Sequence, residues 1–151
     1  MITIEEFKKK QTSKTRLIGL DLGSKRIGIS ICDEKQSIAT PFKTINRINT
    51  SELVNELKEI IKENNIKGIV IGNPINMDGT SGSSAQSVKD ISTNISQFID
   101  VPVFLWDERL STVGAFNLSS QLDVNISKKI KKIDENAAAF ILQGAIDYLN
   151  N

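Results

Sequence analysis

The chain has 151 residues, of which 39% are hydrophobic and 25% charged. This length is typical of one domain, and the composition excludes wholesale disorder. Nineteen Lys and Arg against eighteen Asp and Glu give a net charge of +1, so any basic surface must be a local patch. There is no His and only one Cys, Cys32. These absences exclude Ser-His-Asp triads, disulfides and His-ligated or Cys-clustered zinc sites, and any metal should be one that prefers oxygen ligands.

Residues 1–15 are polar and charged, and they lack the apolar segment of a signal peptide. We expect them to form a solvated, partly ordered tail that precedes a single domain over residues 16–151. No stretch approaches the roughly eighteen apolar residues of a membrane span. The sequence therefore predicts a cytoplasmic protein with no membrane partner.

Three strands are predicted in the first third of the chain. Arg16–Leu22 and Arg26–Cys32 are short apolar segments joined by Gly-Ser-Lys, a pattern that favours an antiparallel hairpin. Ile38–Ile45 is predicted as a third strand, and Pro41 favours an edge position or a bulge because proline cannot donate a backbone hydrogen bond.

The remaining chain alternates helical periodicity with short apolar strands, as in parallel β-α-β units. The predicted elements are a helix over 53–61, a strand over Gly68–Gly72, a helix over 88–99, a strand over Val101–Trp106, a short helix over Thr112–Ser120, a loop over Gln121–Ile133 and a closing helix over 138–149. Together with the first strands they predict an α/β fold: a three-layer, mixed five-stranded sheet with helices on both faces.

Four carboxylates are candidates for the catalytic site. Asp21 lies near the end of the first strand, Asp107 and Glu108 end the last strand, and Asp134 opens the final helix. Sites in open α/β sheets gather at the carboxyl ends of parallel strands, and clustered carboxylates suit a divalent, oxygen-ligated metal. Each residue also has an ordinary structural interpretation, namely an Asx-turn, a surface ion pair or a helix N-cap.

Basic residues near these acids are candidates for nucleic-acid binding. The densest run, in the loop predicted before Asp134, is Lys128, Lys129, Lys131 and Lys132, and the other candidates are Lys25, Arg26 and Arg109. Beside an acidic site, such residues favour contact with a phosphate backbone. The alternative is a solvated loop.

Four segments together resemble the YqgF family of pre-16S ribosomal RNA nucleases and Holliday-junction-resolvase-like proteins. They are GLDLGSKRIGIS (19–30), IGNPINMDGTSG (71–82), VPVFLWDERLST (101–112) and KKIDENAAAFILQGAIDYL (131–149). The resemblance implies an RNase H-like fold. It also implies metal-ligand roles for Asp21, for Glu108 in preference to Asp107, and for Asp134.

The resulting hypothesis is a Mg²⁺- or Mn²⁺-dependent nuclease that processes structured RNA at the 5′ end of precursor 16S rRNA. The first alternative is the same chemistry on branched DNA, which needs paired active sites and hence a homodimer, whereas a monomer favours RNA processing. Two further alternatives are a nucleotide-binding protein and a nucleic-acid-binding module without catalysis.

Overall fold

The computed structural model describes residues 1–74, 79, 82–108 and 126–151, and for residues 126–133 and 135 it describes the helical backbone alone. The elements in these ranges are α1 (Ile4–Lys10), β1 (Arg16–Leu22), β2 (Arg26–Cys32), β3 (Ala39–Asn46), α2 (Thr50–Asn64), β4 (Ile66–Asn73), α3 (Ser83–Phe98), β5 (Val103–Asp107) and α4 (Ile126–Asn150). Within the same ranges, no helix is both long enough and apolar enough to cross a membrane.

The five strands form one mixed sheet in the order β3-β2-β1-β4-β5. The pairs β1–β2 and β2–β3 are antiparallel, whereas β1–β4 and β4–β5 are parallel. This topology confirms the predicted hairpin and the parallel β-α-β units. It also brings the carboxyl ends of β1, β4 and β5 to the same end of the sheet.

Helices cover both faces, which confirms the three-layer prediction. One face of the sheet packs against α2 and α3, and the other packs against α1 and α4. Within β1, Ile18 and Leu20 belong to the first cluster and Leu17 to the second, because successive strand residues point to opposite faces.

The predicted bounds of β1 and β2 agree with the structure, and the other three strands differ from prediction by one or two residues at each end. β3 is an edge strand, and its register with β2 shifts between the pairs Ile29–Lys43 and Ser30–Pro41. Pro41 therefore lies at an irregularity of an edge strand, as predicted, where its missing N–H costs least.

The expected solvated tail is wrong, because residues 4–10 form the helix α1. Thr3 and Glu6 form a reciprocal capping box at its start, which supplies partners to backbone N–H groups that lack them. Ile4 and Phe7 are buried, and the Phe7 ring stacks on Phe104 of β5 at 4.7 Å. The charged residues around these two apolar positions gave the segment its solvated appearance.

The closing helix begins earlier than predicted, and this corrects the interpretation of residues 126–133 as a loop. α4 starts at Ile126, and lysine is compatible with a helix because it has a good helix propensity. Asp134 is consequently the ninth residue of α4 rather than its first or its N-cap. Residues 121–125 of the predicted loop, and the predicted helix Thr112–Ser120, lie outside the described residues.

Helix α4 packs closely on the central strands. The Ser30 hydroxyl of β2 donates a 2.7 Å hydrogen bond to the Ala138 carbonyl of α4. At Gly19 of β1, a Cβ atom would come within 2.8 Å of Leu142 Cβ, so a side chain there would force the helix away from the sheet. This close approach brings the part of α4 around Asp134 near the ends of β1 and β2.

Candidate active site

Asp21 lies at the carboxyl end of β1, on the sheet face covered by α4. Its neighbours Leu20 and Leu22 pack on the opposite face, and Gly19, two residues earlier, lies against Leu142 of α4. Since strand residues alternate between faces, Asp21 shares the face of Gly19. Its side chain is partly buried.

Glu108 directly follows β5 and lies on the same face as Asp21. Trp106 of β5 packs in the α4-side cluster, whereas Leu105 contacts the other cluster. The contacts of Glu108 agree with this alternation, because a Cβ atom at Gly72 of β4 would lie 2.9 Å from Glu108 Cγ. The Glu108 side chain therefore lies over the end of β4, on the side towards β1.

Asp107 precedes Glu108 directly and therefore lies on the opposite face of the sheet. It pairs in register with Asn73 of β4. It lines an open cleft of about 600 Å³ beside residues 1–6. Its charge still contributes to the raised pKa of Glu108. Of the two acids that follow one another here, Glu108 is the one that the structure brings next to Asp21.

Asp134 forms an ion pair with Arg26. The Arg26 Nε atom lies 2.5 Å from Asp134 Oδ2, and the two side chains are 38% and 20% exposed. Arg26 is the first residue of β2, and its partner lies 108 positions further along the chain. Arg26, which was predicted to bind nucleic acid, therefore forms an ion pair with Asp134, a predicted metal ligand.

The electrostatics link the acids to one another. The pKa of Asp21 is raised from 3.8 to about 6, first by burial and then by repulsion from Asp134. The pKa of Glu108 is raised from 4.5 to about 7 by burial, by Asp21 and by Asp107, in that order. Asp21 is thus the common member of the group, coupled to Glu108 on one side and to Asp134 on the other.

These residues suit a divalent cation in their chemistry. Carboxylate oxygens are the ligands that hard cations prefer, and mutual repulsion between buried carboxylates is relieved by a positive ion. In the described ranges, however, no group of three His, Cys, Asp or Glu side chains is already arranged to hold a metal ion. Instead, the carboxylates interact in pairs, Asp21 with Asp134 and Glu108 with Asp21. One oxygen of Asp134 also accepts a hydrogen bond from the Arg26 guanidinium.

The remaining basic candidates are placed unevenly. Lys25 is exposed in the turn between β1 and β2, close in sequence to the acidic group. The run Lys128, Lys129, Lys131 and Lys132 lies in the part of α4 that precedes Asp134, where the structure describes the backbone alone. Arg109 lies outside the described residues.

Gly72 was not among the site residues predicted from the sequence. A side chain at this position would overlap the space that Glu108 occupies. The available signal was a glycine at the end of a buried strand, in the segment Ile71–Gly82. The sequence pattern marks Gly72 only as the last residue of the predicted strand Gly68–Gly72, because its contact with Glu108 depends on the pairing of β4 with β5.

The mixed sheet and its covering helices have the topology of the RNase H-like fold, and acidic side chains lie at the ends of two of its parallel strands and on the helix that covers them. Among solved structures, RuvC of Thermus thermophilus in complex with a Holliday junction substrate has the same fold. It superposes with a TM-score of 0.52 at 10% identity, over 84% of this chain and 91% of that one.

The chain belongs to the RuvX family, described as Holliday junction resolvase, which matches residues 15–148. A relative from Pelagibacter ubique, named as a candidate pre-16S rRNA nuclease, is 76% identical over 151 residues, the whole of both chains. A relative of the same name from Cereibacter sphaeroides is 43% identical, over 98% of this chain and 92% of its own. Family membership confirms the resemblance to YqgF proteins and identifies the chain as a nuclease.

Proposed function

We propose that this protein is a divalent-metal-dependent nuclease that hydrolyses phosphodiesters in structured RNA and processes the 5′ end of precursor 16S rRNA. The observation that carries the proposal is the pairing of Asp21 with Glu108, two partly buried carboxyls whose pKa values are both raised. The choice of RNA substrate is supported by the names of the two curated relatives. Such an enzyme would work in the cytoplasm, where ribosomes are assembled.

Asp21, Glu108 and Asp134 would hold the metal, which we propose to be Mg²⁺ or Mn²⁺. When bound, such an ion activates a water molecule and stabilises the leaving oxygen of a phosphodiester. Asp21 lies between the other two in charge coupling and is the residue on which the site depends most. Asp107 adds negative charge next to Glu108 and takes a supporting part in catalysis.

The proposed substrate contacts come from basic residues around this end of the sheet. Lys25 is exposed in the β1–β2 turn, and its charge is available to a phosphate backbone. We assign the same role to Arg26, Arg109 and the run Lys128, Lys129, Lys131 and Lys132. Contacts of this kind orient the nucleic acid without reading its sequence.

Branched DNA is the second candidate substrate, and the family description favours it. Symmetric cleavage of a four-way junction needs two active sites, so this function requires a homodimer, whereas RNA processing is open to a monomer. A monomer in sedimentation of the purified protein at micromolar concentration would therefore favour RNA processing and exclude symmetric junction cleavage.

A parallel cleavage assay tests the proposed function. Precursor 16S rRNA fragments that carry the 5′ leader, and synthetic four-way junctions, are incubated with the protein in Mg²⁺, Mn²⁺ or EDTA. We expect metal-dependent cleavage of the RNA that is lost in EDTA and in Asp21→Asn. Asp100→Asn, an equal change of charge at an exposed position, should cleave normally. Cleavage that persists in EDTA, or in Asp21→Asn, would contradict the proposal.

A further inference from the structure

Strand β4 lies between the two carboxyls that the proposed function pairs. Asp21 ends β1 and Glu108 follows β5, and the sheet order places β4 between these strands. Adjacent strands are about 4.8 Å apart, so β1 and β5 are separated by roughly 10 Å. The Glu108 side chain can approach Asp21 only by crossing the end of β4 on the face covered by α4.

Gly72 lies at that crossing. It pairs in register with Trp106, two residues before Glu108. A Cβ atom at Gly72 would lie 2.9 Å from Glu108 Cγ and 3.1 Å from its Cδ, and closer still to Ile141 Cδ1. Unstrained carbon–carbon contacts are about 3.5–4.0 Å, so even a methyl group would displace the Glu108 side chain.

We propose that Gly72 is a positioning residue for Glu108. Because Gly72 has no side chain, there is space over β4 for the Glu108 side chain. Glu108 can therefore extend across β4 and place its carboxyl near Asp21. This role rests on the proposed function, because it supposes that Asp21 and Glu108 bind one cation together. The nearest atom, Cδ1, is the far end of the buried Ile141 side chain, and the Glu108 atoms lie beyond its Cβ, so we expect both side chains to shift in response to a new methyl group. A substitution at Gly72 should therefore disturb the site more than the fold.

Gly68 provides a matched control on the same strand. A Cβ atom there would lie 2.8 Å from Leu17 Cδ2 and 3.4 Å from Phe7 Cε2, so Gly68→Ala also crowds the α4-side core. The three atoms nearest to that Cβ position belong to Leu17 and Phe7, neither of which is acidic. Its substitution reports the cost of an added methyl group without any effect on Glu108.

The test is Mn²⁺ binding by isothermal titration calorimetry, which requires no turnover. We expect Gly72→Ala to weaken Mn²⁺ binding by about 10- to 100-fold, the range found when residues that orient metal ligands are changed. Gly68→Ala should bind Mn²⁺ like the wild type. The double variant Gly72→Ala, Ile141→Val removes the competing contact with Ile141 Cδ1 and should remain as weak as Gly72→Ala. Adding Gly72→Ala to Glu108→Gln should weaken binding no further, since both changes act on the same carboxyl.

The outcomes separate this proposal from the function on which it rests. If the wild type does not bind Mn²⁺, the proposed metal site fails and the positioning role fails with it. If the wild type binds Mn²⁺ and Gly72→Ala binds equally well, the positioning role alone is refuted. Additive losses in Gly72→Ala and Glu108→Gln would also refute it. Unfolding of both Gly72 variants would overturn the premise that the crowded side chains can move.

Discussion

Replacing Asp21 by Asn should stabilise the metal-free protein at neutral pH while abolishing its activity. Burial and the neighbouring Asp134 raise the pKa of Asp21 from 3.8 to about 6. Between these two pH values the folded protein keeps a proton that the unfolded chain releases, so stability falls as the pH rises through this window. Above it the folded state bears the full cost of the buried charge. At about 1.36 kcal/mol per pKa unit, the rise corresponds to about 3 kcal/mol.

Asparagine has nearly the same shape as aspartate and no charge, so Asp21→Asn should remove most of the cost of the buried charge and raise the free energy of unfolding. We expect a gain of about 2–3 kcal/mol at pH 7.5 that disappears below about pH 4, where the wild-type carboxyl is protonated. The assay is urea denaturation in EDTA between pH 3.5 and 8. The matched control Asp100→Asn, at an exposed position, should show no comparable gain. Added Mn²⁺ should then stabilise the wild type more than the variant, by mass action.

The reasoning would be refuted by an Asp21→Asn variant that is less stable than the wild type at pH 7.5. A stability difference between the variant and the wild type that does not change with pH would also refute it, because the predicted effect comes from ionisation of the Asp21 carboxyl. A gain in stability combined with unchanged cleavage would keep the electrostatic argument and remove Asp21 from the catalytic assignment.

Three further predictions concern the other candidate residues. Glu108→Gln should lower the cleavage rate by more than about 100-fold, since a metal ligand supplies several kcal/mol of transition-state stabilisation. Asp107→Asn should lower the rate less. If single-turnover assays show the reverse ranking, the roles of Asp107 and Glu108 are exchanged. Arg26→Gln should reduce the free energy of unfolding by up to about 1 kcal/mol in low salt and by less in high salt, because the ion pair between Arg26 and Asp134 is partly exposed. Equal urea midpoints for the variant and the wild type at low salt would argue against a stabilising ion pair. Replacing both Lys128 and Lys131 by Ala should flatten the salt dependence of log affinity for RNA by about one to two units, and an unchanged slope would mean that these lysines are only solvated.

Local patterns in the sequence were enough to predict most of the sheet. The bounds of β1 and β2 follow from alternating apolar residues and the Gly-Ser-Lys turn, and the edge position of β3 follows from Pro41, whose missing N–H excludes it from a regular central ladder. The acids were identified because strand ends carry sites in α/β folds. Two helices show where such patterns fail. α1 has only two buried apolar residues, and the lysine-rich start of α4 has the composition of a solvated loop.

Only the tertiary structure decided how the candidate residues combine. The choice between Asp107 and Glu108 depends on which face of the sheet each residue occupies, and this was not visible in two consecutive acids. The space for Glu108 exists because β4 carries Gly72 where the side chain crosses, a contact set by the pairing of β4 with β5. Arg26 meets Asp134, which lies 108 positions further along the chain. A sequence specifies local conformation through the preferences of neighbouring residues, whereas contacts such as these exist only once the sheet has aligned its strands and α4 has packed across them.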